Sequence, residues 1–582
     1  MARTIAGMTR EEMRDPNYFP GIFKGVPLGI QHVLAMFVSN VTPAIIVAGA
    51  AGFGFGSGDI SDMIYMIQMS MVFAGIATLI QTISLGPIGA RLPVVQGTSF
   101  AFIPVMIPIA ITFGMDALMG GIVIGGIFHF FLGTIVGRIR HWLPPLVTGL
   151  VVLMIGLALV KVGIQYAAGG VPMIGKPGYG AALQWGLASV VIVVTLLLKF
   201  FTRGMLSVSA VLLGLLAGYG VAYALDAAGI AELINYSNVE KAVWFSAPNP
   251  LHFGFEINAA AIIAMCLMGI VSAIETVGDI SGITKGGAGR EATDKEVAGG
   301  TMADGLGTAL SGVFGALPNT SFSQNVGLIS MTGVMSRHVV TLGALFLIAA
   351  GLVPKFGAAI STMPIAVLGG GVIVMFGMVA SAGVNMLSAV HWTRRNMMIF
   401  AVALSIGLGL QLEPGALQHL PDTVKVLMTS GLLPAAFIAI LLNAIIPEDD
   451  DELADISGTT SGGGDDYSRA ARTSDDLYGD EPYDGYDRRP VRDDVYGSRD
   501  DTDDYERESA YERPRYDDEP RYDDEPRYDD NPRYDDEPRY DDRPRYEDRP
   551  RYEDRPRYED RPLYGERPRD ARRPRDLPRR DR

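Results

Sequence analysis

Met265-Cys-Leu-Met-Gly-Ile-Val-Ser-Ala-Ile-Glu275-Thr-Val-Gly-Asp279 sets a carboxylate inside an apolar run of the kind that crosses a bilayer as a helix. A charge at that depth is costly, and acids found there mark substrate or proton paths. Glu275 and Asp279 are four residues apart and share one helix face, so a carboxyl able to exchange a proton beside a substrate is available for coupling. The alternative is that Asp279 lies at a hydrated helix end and only caps. About fifty residues further on, a Gly- and Pro-interrupted apolar stretch carries Gln324-Asn325, a second polar pair at similar depth. The pattern is that of a membrane carrier.

Outward from this stretch, the 582-residue chain divides near Pro447. Before that point, apolar runs of about twenty residues recur, each long enough to cross a hydrocarbon core of about 30 Å. They fall at roughly 26-47, 63-85, 93-112, 117-137, 142-162, 183-200, 205-225, 257-282, 297-315, 320-336, 338-353, 363-386, 396-411 and 429-446. The expectation is an all-α polytopic membrane protein of about fourteen spans over residues 26-447, after an N-terminus of residues 1-25. The first run is too long for a signal peptide and lacks a cleavage pattern.

Basic residues test this count, because cytoplasmic connections concentrate Lys and Arg. With the N-terminus inside, the connections after even-numbered spans hold Arg91, Arg138 and Arg140, Lys199 and Arg203, Lys285, Arg290 and Lys295, Arg337, and Arg394 and Arg395. The odd connections hold only scattered lysines. Both termini are therefore expected in the cytoplasm and the protein in the cell membrane.

Span three contains Gly97-Thr98-Ser99-Phe100 and span ten Asn319-Thr320-Ser321-Phe322, each soon after a proline (Pro93, Pro318). The shared Thr-Ser-Phe lies seven spans apart. Seven is odd, so the copies run in opposite directions, as in a 7+7 inverted repeat with a site at its midplane. Both segments read as broken spans, whose free backbone groups are tolerated at membrane depth only where they line a cavity or lie buried in protein. A pair of Pro-kinked packing helices is the plainer alternative.

The formal charge of -16 belongs to the end of the chain: residues 1-447 hold 20 basic and 18 acidic residues. Residues 448-582 are Asp-, Arg-, Tyr- and Pro-rich and settle into the repeat Pro-Arg-Tyr-Asp-Asp-Glu. Too few aliphatic residues remain to form a core, which predicts a disordered acidic tail, solvated or used for docking, and no nucleic-acid partner. Cys266 stands alone and excludes an intrachain disulfide. No phosphate loop, zinc motif or nucleophile-base pair is in a credible context, so neither enzyme nor cofactor nor metal is expected.

Three further polar features lie inside spans. Gln31-His32 opens the first, where the imidazole reads as a hydrogen-bond organiser or a proton carrier. Asp304 lies in the ninth, placed to accept from Ser or Thr hydroxyls or to pair with His32. Gln324 offers both donor and acceptor, which matches the lactam edge of a purine or pyrimidine.

The run Gln324-Asn325-Val326-Gly327-Leu328-Ile329-Ser330-Met331-Thr332-Gly333 resembles the signature of the nucleobase-ascorbate transporter family, and every defined position matches. Gln31-His32, Thr98-Ser99-Phe100, Glu275 with Asp279, and Ala303-Asp304-Gly305 are similar to that family's other motifs. The resemblance covers the membrane part and not the tail. It implies a core of spans 1-4 and 8-11, a gate of spans 5-7 and 12-14, and broken spans 3 and 10, each a short strand plus a half-helix. It also implies a homodimer and proton-coupled symport of a nucleobase, with sodium open as the alternative ion. By position, Glu275 and Gln324 would hydrogen-bond the base, with Thr98, Ser99, Phe100 and Ser323 around it. His32, Gln31, Asp279, Asp304 and Asn325 would form a supporting polar network, and Gly327, Thr332 and Gly333 complete the signature. Gln at the first signature position resembles members that carry xanthine or uric acid. A uracil or broad nucleobase permease is the alternative, and an anion exchanger of related fold would call for a basic residue at the broken spans, where none stands.

Overall fold

The computed structural model describes residues 8–55, 59–139 and 144–447. The tail expected from residue 448 lies outside the described residues. Among those described, the principal helices are α1 (Ile22–Ala50), α2 (Ser61–Ile83), α3 (Ile103–Gly133), α4 (Pro145–Ala167), α5 (Ala182–Phe201), α6 (Ala210–Ala227), α7 (Ala259–Ile283) and α8 (Asp294–Val313). They continue with α9 (Ser323–Thr332), α10 (Arg337–Gly351), α11 (Pro354–Ser361), α12 (Ile365–Leu387), α13 (Arg394–Leu412), α14 (Asp422–Thr429) and α15 (Leu432–Ile445). Two short strands, β1 (Gln96–Thr98) and β2 (Asn319–Ser321), complete the set.

The helix starts follow local chemistry. Asn258 accepts from the Ala261 amide at the head of α7, and Thr293 and Glu296 form a reciprocal capping box at the head of α8. Such caps satisfy amides that the first turn cannot pair. At the other end, Gly333 stops α9 in the left-handed conformation with φ 71°. This gives the last signature glycine a backbone reason.

Nine described helices are long and apolar enough to cross a membrane, or up to eleven if the bent pairs α10/α11 (80°) and α14/α15 (81°) each count as one span. The difference from fourteen expected segments has physical reasons. Expected spans three and four are the two parts of α3, separated where Gly114 takes φ 90°. Expected span nine is α8, whose first turn carries Asp294 and Glu296, and expected span ten is only β2 followed by the ten-residue α9. Residues near the N-terminus are also fitted to the fold: the amides of Met335 and Arg337 donate to the carbonyls of Met13 (2.7 Å) and Pro16 (3.0 Å).

Both broken spans consist of a strand followed by a half-helix. β1 and β2 pair antiparallel in the register Gln96↔Ser321, Gly97↔Thr320, Thr98↔Asn319. All six strand residues are buried, so backbone groups at this depth are paired inside protein rather than exposed to lipid. The Gly97 position has no room for a side chain: a methyl there would overlap the Phe322 ring.

Helices α1, α2, α7 and α8 pack against this strand pair, with α3 lying on α7 and α8 and α10 on α1 and α2. Helix α3 lies close on α8, where a methyl at Gly305 would overlap the Phe130 amide nitrogen, and one at Gly126 the backbone of Ala309. Small residues let membrane helices meet backbone to backbone, where dispersion rather than the hydrophobic effect holds them together. Helix α12 packs chiefly on α4 and α5, and α13 on α15 and α4.

Candidate functional site

The strand pair sets the starts of two half-helices beside the middle of α7. Ser323 and Gln324 occupy the first turn of α9, where amides have no intrahelical acceptor, and Phe100 and Ala101 directly precede α3. Helix N-termini carry partial positive charge and favour polar or anionic groups. These residues, with Thr98, Ser99 and Glu275, line a cavity of about 430 Å³. The facing wall comes from α4 (Val152, Ile155) and α12 (Met378, Val379, Ala382), where Asn385 is its one polar side chain. Phe100 crosses to that side and meets Phe376 edge to face, ring centroids 5.4 Å apart. A flat, partly polar molecule therefore meets hydrogen-bonding groups on one side and apolar surface on the other.

The three acids on α7 and α8 are held differently. Asp279 accepts from the Ser321 and Ser323 hydroxyls, both at 2.7 Å, which ties β2 and the head of α9 to α7. Asp304 is fully buried and accepts from Gln81 Nε2 (2.8 Å), Gln96 Nε2 and the Thr276 hydroxyl. Gln81 also donates to the Gly300 carbonyl (2.9 Å) and accepts from the Ala90 amide (3.0 Å). Glu275 Oε2, by contrast, is buried beside the cavity and has no hydrogen-bond partner among the described residues, the Thr320 hydroxyl lying near the carboxyl as a whole.

The remaining motif residues lie behind this surface. Asn325 Nδ2 donates to His32 Nδ1 (3.0 Å) and to the His32 carbonyl (3.1 Å), joining α9 to α1. His32 thus pairs with Asn325, and the His32–Asp304 pairing offered by the sequence does not form. Gln31 is half-buried on α1 and is not in the cavity wall. Thr332 bonds its own helix through the Leu328 carbonyl (2.9 Å), and Gly327 borders a different cavity, described below.

Three positioning residues escaped the sequence reading: Asn40, Gln81 and Gln96. Asn40 Oδ1 accepts from the Thr98 amide (2.9 Å) and hydroxyl (3.3 Å), while its Nδ2 donates to the Ser70 carbonyl (3.1 Å). An amide in an apolar helix was the available signal, and all three are such amides or lie beside the Thr-Ser-Phe motif.

The polytopic bundle with two broken spans meeting at a buried, acid-lined cavity belongs to a membrane permease rather than an enzyme, as its family and relatives show. The chain belongs to the nucleobase-ascorbate transporter family: the permease family model of xanthine and uric acid carriers matches residues 23–415. Among its relatives, the uric acid permease PucJ of Bacillus subtilis is 35% identical over 427 residues, 72% of this chain and 92% of that one. The xanthine permease of the same organism is 34% identical, covering 73% and 94%. The xanthine permease XanP of Escherichia coli is 34% identical, covering 72% and 90%.

Proposed function

We propose that the protein is a proton-coupled symporter of an oxidised purine, xanthine or uric acid, in the cell membrane with both termini in the cytoplasm. The observation that carries this reading is Glu275 Oε2, a buried acceptor without a protein donor at the edge of a cavity that also contains Gln324. An N–H of a lactam ring supplies the missing donor, and the Gln324 amide complements a neighbouring C=O and N–H pair. The free amides at Phe100 and Ser323 add contacts without adding another charge beside Glu275. The names and 34–35% identities of the xanthine and uric acid permeases support the same substrate class.

In this reading His32, Gln31, Asp279, Asp304 and Asn325 keep the half-helices in place while Glu275 takes part in proton exchange. The core of spans 1-4 and 8-11 slides against a gate of spans 5-7 and 12-14, seven spans being an inverted copy of the other seven, in a homodimer. The polar wall and the apolar wall of the cavity come from the two parts, which suits a movement that carries the bound base with the core.

Uptake of radiolabelled xanthine, uric acid and uracil, in cells lacking their own permeases, tests the proposal. Purine uptake that collapses with the proton gradient, and is lost in Glu275→Gln at normal membrane abundance, is expected. Uptake unaffected by a protonophore refutes proton coupling, and preferential uptake of uracil refutes the purine assignment.

A further inference from the structure

Adjoining the first cavity, and sharing Gln324 and Met378 with it, is a second of about 450 Å³. Its floor is one face of α9, where Gln324, Gly327, Leu328 and Met331 recur at helical spacing. The walls are α1 (Leu34, Ala35, Val38), the end of α5 (Leu196, Lys199, Phe200) and the start of α6 (Val211, Leu212). Its polar groups are few: Ser39 Oγ approaches Met375 Sδ (3.5 Å), Ser207 donates to the Lys199 carbonyl (3.3 Å), and the buried Thr195 hydroxyl has no partner among the described residues. A purine entering here would give up hydration with little to replace it. The cavity is therefore unsuited to the cargo of its neighbour.

Its rim is apolar and open. Phe200 is 75% exposed and Met331 53%. At the same end stand Lys199 and Arg203, exposed cations in no ion pair among the described residues. Long basic side chains at helix ends reach toward the membrane interface, where anionic headgroups lie. From Gln324 to Met331 the α9 floor runs roughly 10 Å, about a third of the hydrocarbon core. We propose that this crevice binds one acyl chain of an anionic phospholipid, with the phosphate at Lys199 and Arg203 and the buried end of the chain against Gln324. Lipid then fills the space between α1/α9 and α5/α6 and supports the Gln324 side chain from behind.

The test uses the full-length protein in nanodiscs of phosphatidylcholine containing phosphatidylglycerol with a photoreactive acyl chain, and maps the crosslinks by mass spectrometry. Crosslinks are expected on residues 34–38, 207–212 and 327–331, falling several-fold in Lys199→Glu/Arg203→Glu and on competition with unlabelled phosphatidylglycerol. Ala35→Trp, which fills the crevice, should abolish them, and the charge variant keeps the test decisive if the tryptophan prevents folding. Crosslinks confined to the outer faces of α5 and α6, equal labelling by a phosphatidylcholine probe, or labelling displaced by xanthine would each overturn the assignment. The readout is lipid contact, so it stands or falls independently of which base is carried.

Discussion

Replacing Asn40 by alanine removes a side chain that ties β1 to the first two helices, leaving the Thr78 hydroxyl on the Gln96 amide (2.9 Å) as another tie. Two hydrogen bonds to Thr98 are lost, at 2.9 and 3.3 Å, and the buried Thr98 amide is left unpaired. A buried donor stranded in this way costs about 1–3 kcal/mol. A loss of about 2 kcal/mol corresponds to roughly thirtyfold in the population of the correctly formed strand pair. Because Thr98, Ser99 and Phe100 are cavity wall, the loss should appear as a raised KM for uptake as well as a lower unfolding temperature in detergent. Thr98→Ala removes only the longer, hydroxyl bond and keeps the amide bond, so it should cost less. In the double variant Asn40→Ala/Thr98→Ala the effect of the second change should shrink, as expected for groups in direct contact. A wild-type KM and melting temperature in Asn40→Ala, or strict additivity in the double variant, would refute the reasoning.

Gly305→Leu should abolish correctly folded protein, measured by size-exclusion chromatography, because the Phe130 backbone leaves no room; Gly305→Ala should lose about 1–3 kcal/mol of stability. Ser321→Ala and Ser323→Ala each remove a 2.7 Å donor to Asp279 and should each lower kcat/KM for uptake about tenfold or more, at about 1.5–3 kcal/mol for a bond to a charged group. Wild-type kinetics in the double variant would contradict the assigned role of Asp279. Thr293→Ala breaks the capping box of α8 and should cost about 1 kcal/mol in thermal stability with little change in substrate selectivity. Deleting residues 448-582 should leave initial uptake rates unchanged, provided Ile446 is retained, since its carbonyl accepts from Arg395 Nε (2.8 Å).

The broken spans were readable because their signals are local: a proline, then small and hydroxyl residues that cannot sustain a helix. Glu275 and Asp279 were readable because four-residue spacing fixes a shared face. The break between expected spans three and four was readable too, at Gly114, whereas Asp294 and Glu296 in the first turn of α8 made that span harder to bound. The partner of each buried polar group was not readable at all. Asp304 and Gln81 are 223 residues apart, and Asn325 and His32 are 293 apart. Such pairs depend on how whole helices are stacked, which hydropathy does not encode. The anchoring of residues near Met13 was missed for another reason: Thr9 and Glu12 spell a capping box, but a polar terminus gave no hydrophobic period to attach it to.

The unequal treatment of the three acids divides their work. Asp304 accepts from two amides and a hydroxyl, and Asp279 from two hydroxyls, so every oxygen of these two acids already has a protein donor and helps hold β1, β2 and α9. Glu275 alone keeps a buried oxygen free at the cavity edge. Leaving such an acceptor unpaired costs stability, and a bound donor recovers that cost only while cargo is present. The two partnered acids therefore fix where the half-helices begin, and Glu275 leaves the empty site energetically incomplete. On the proposed reading, molecules that lack an N–H at the Glu275 position should bind less well, since they bury the carboxyl further without satisfying it. Among bases of equal size, selectivity should follow the placement of ring N–H groups more closely than overall polarity.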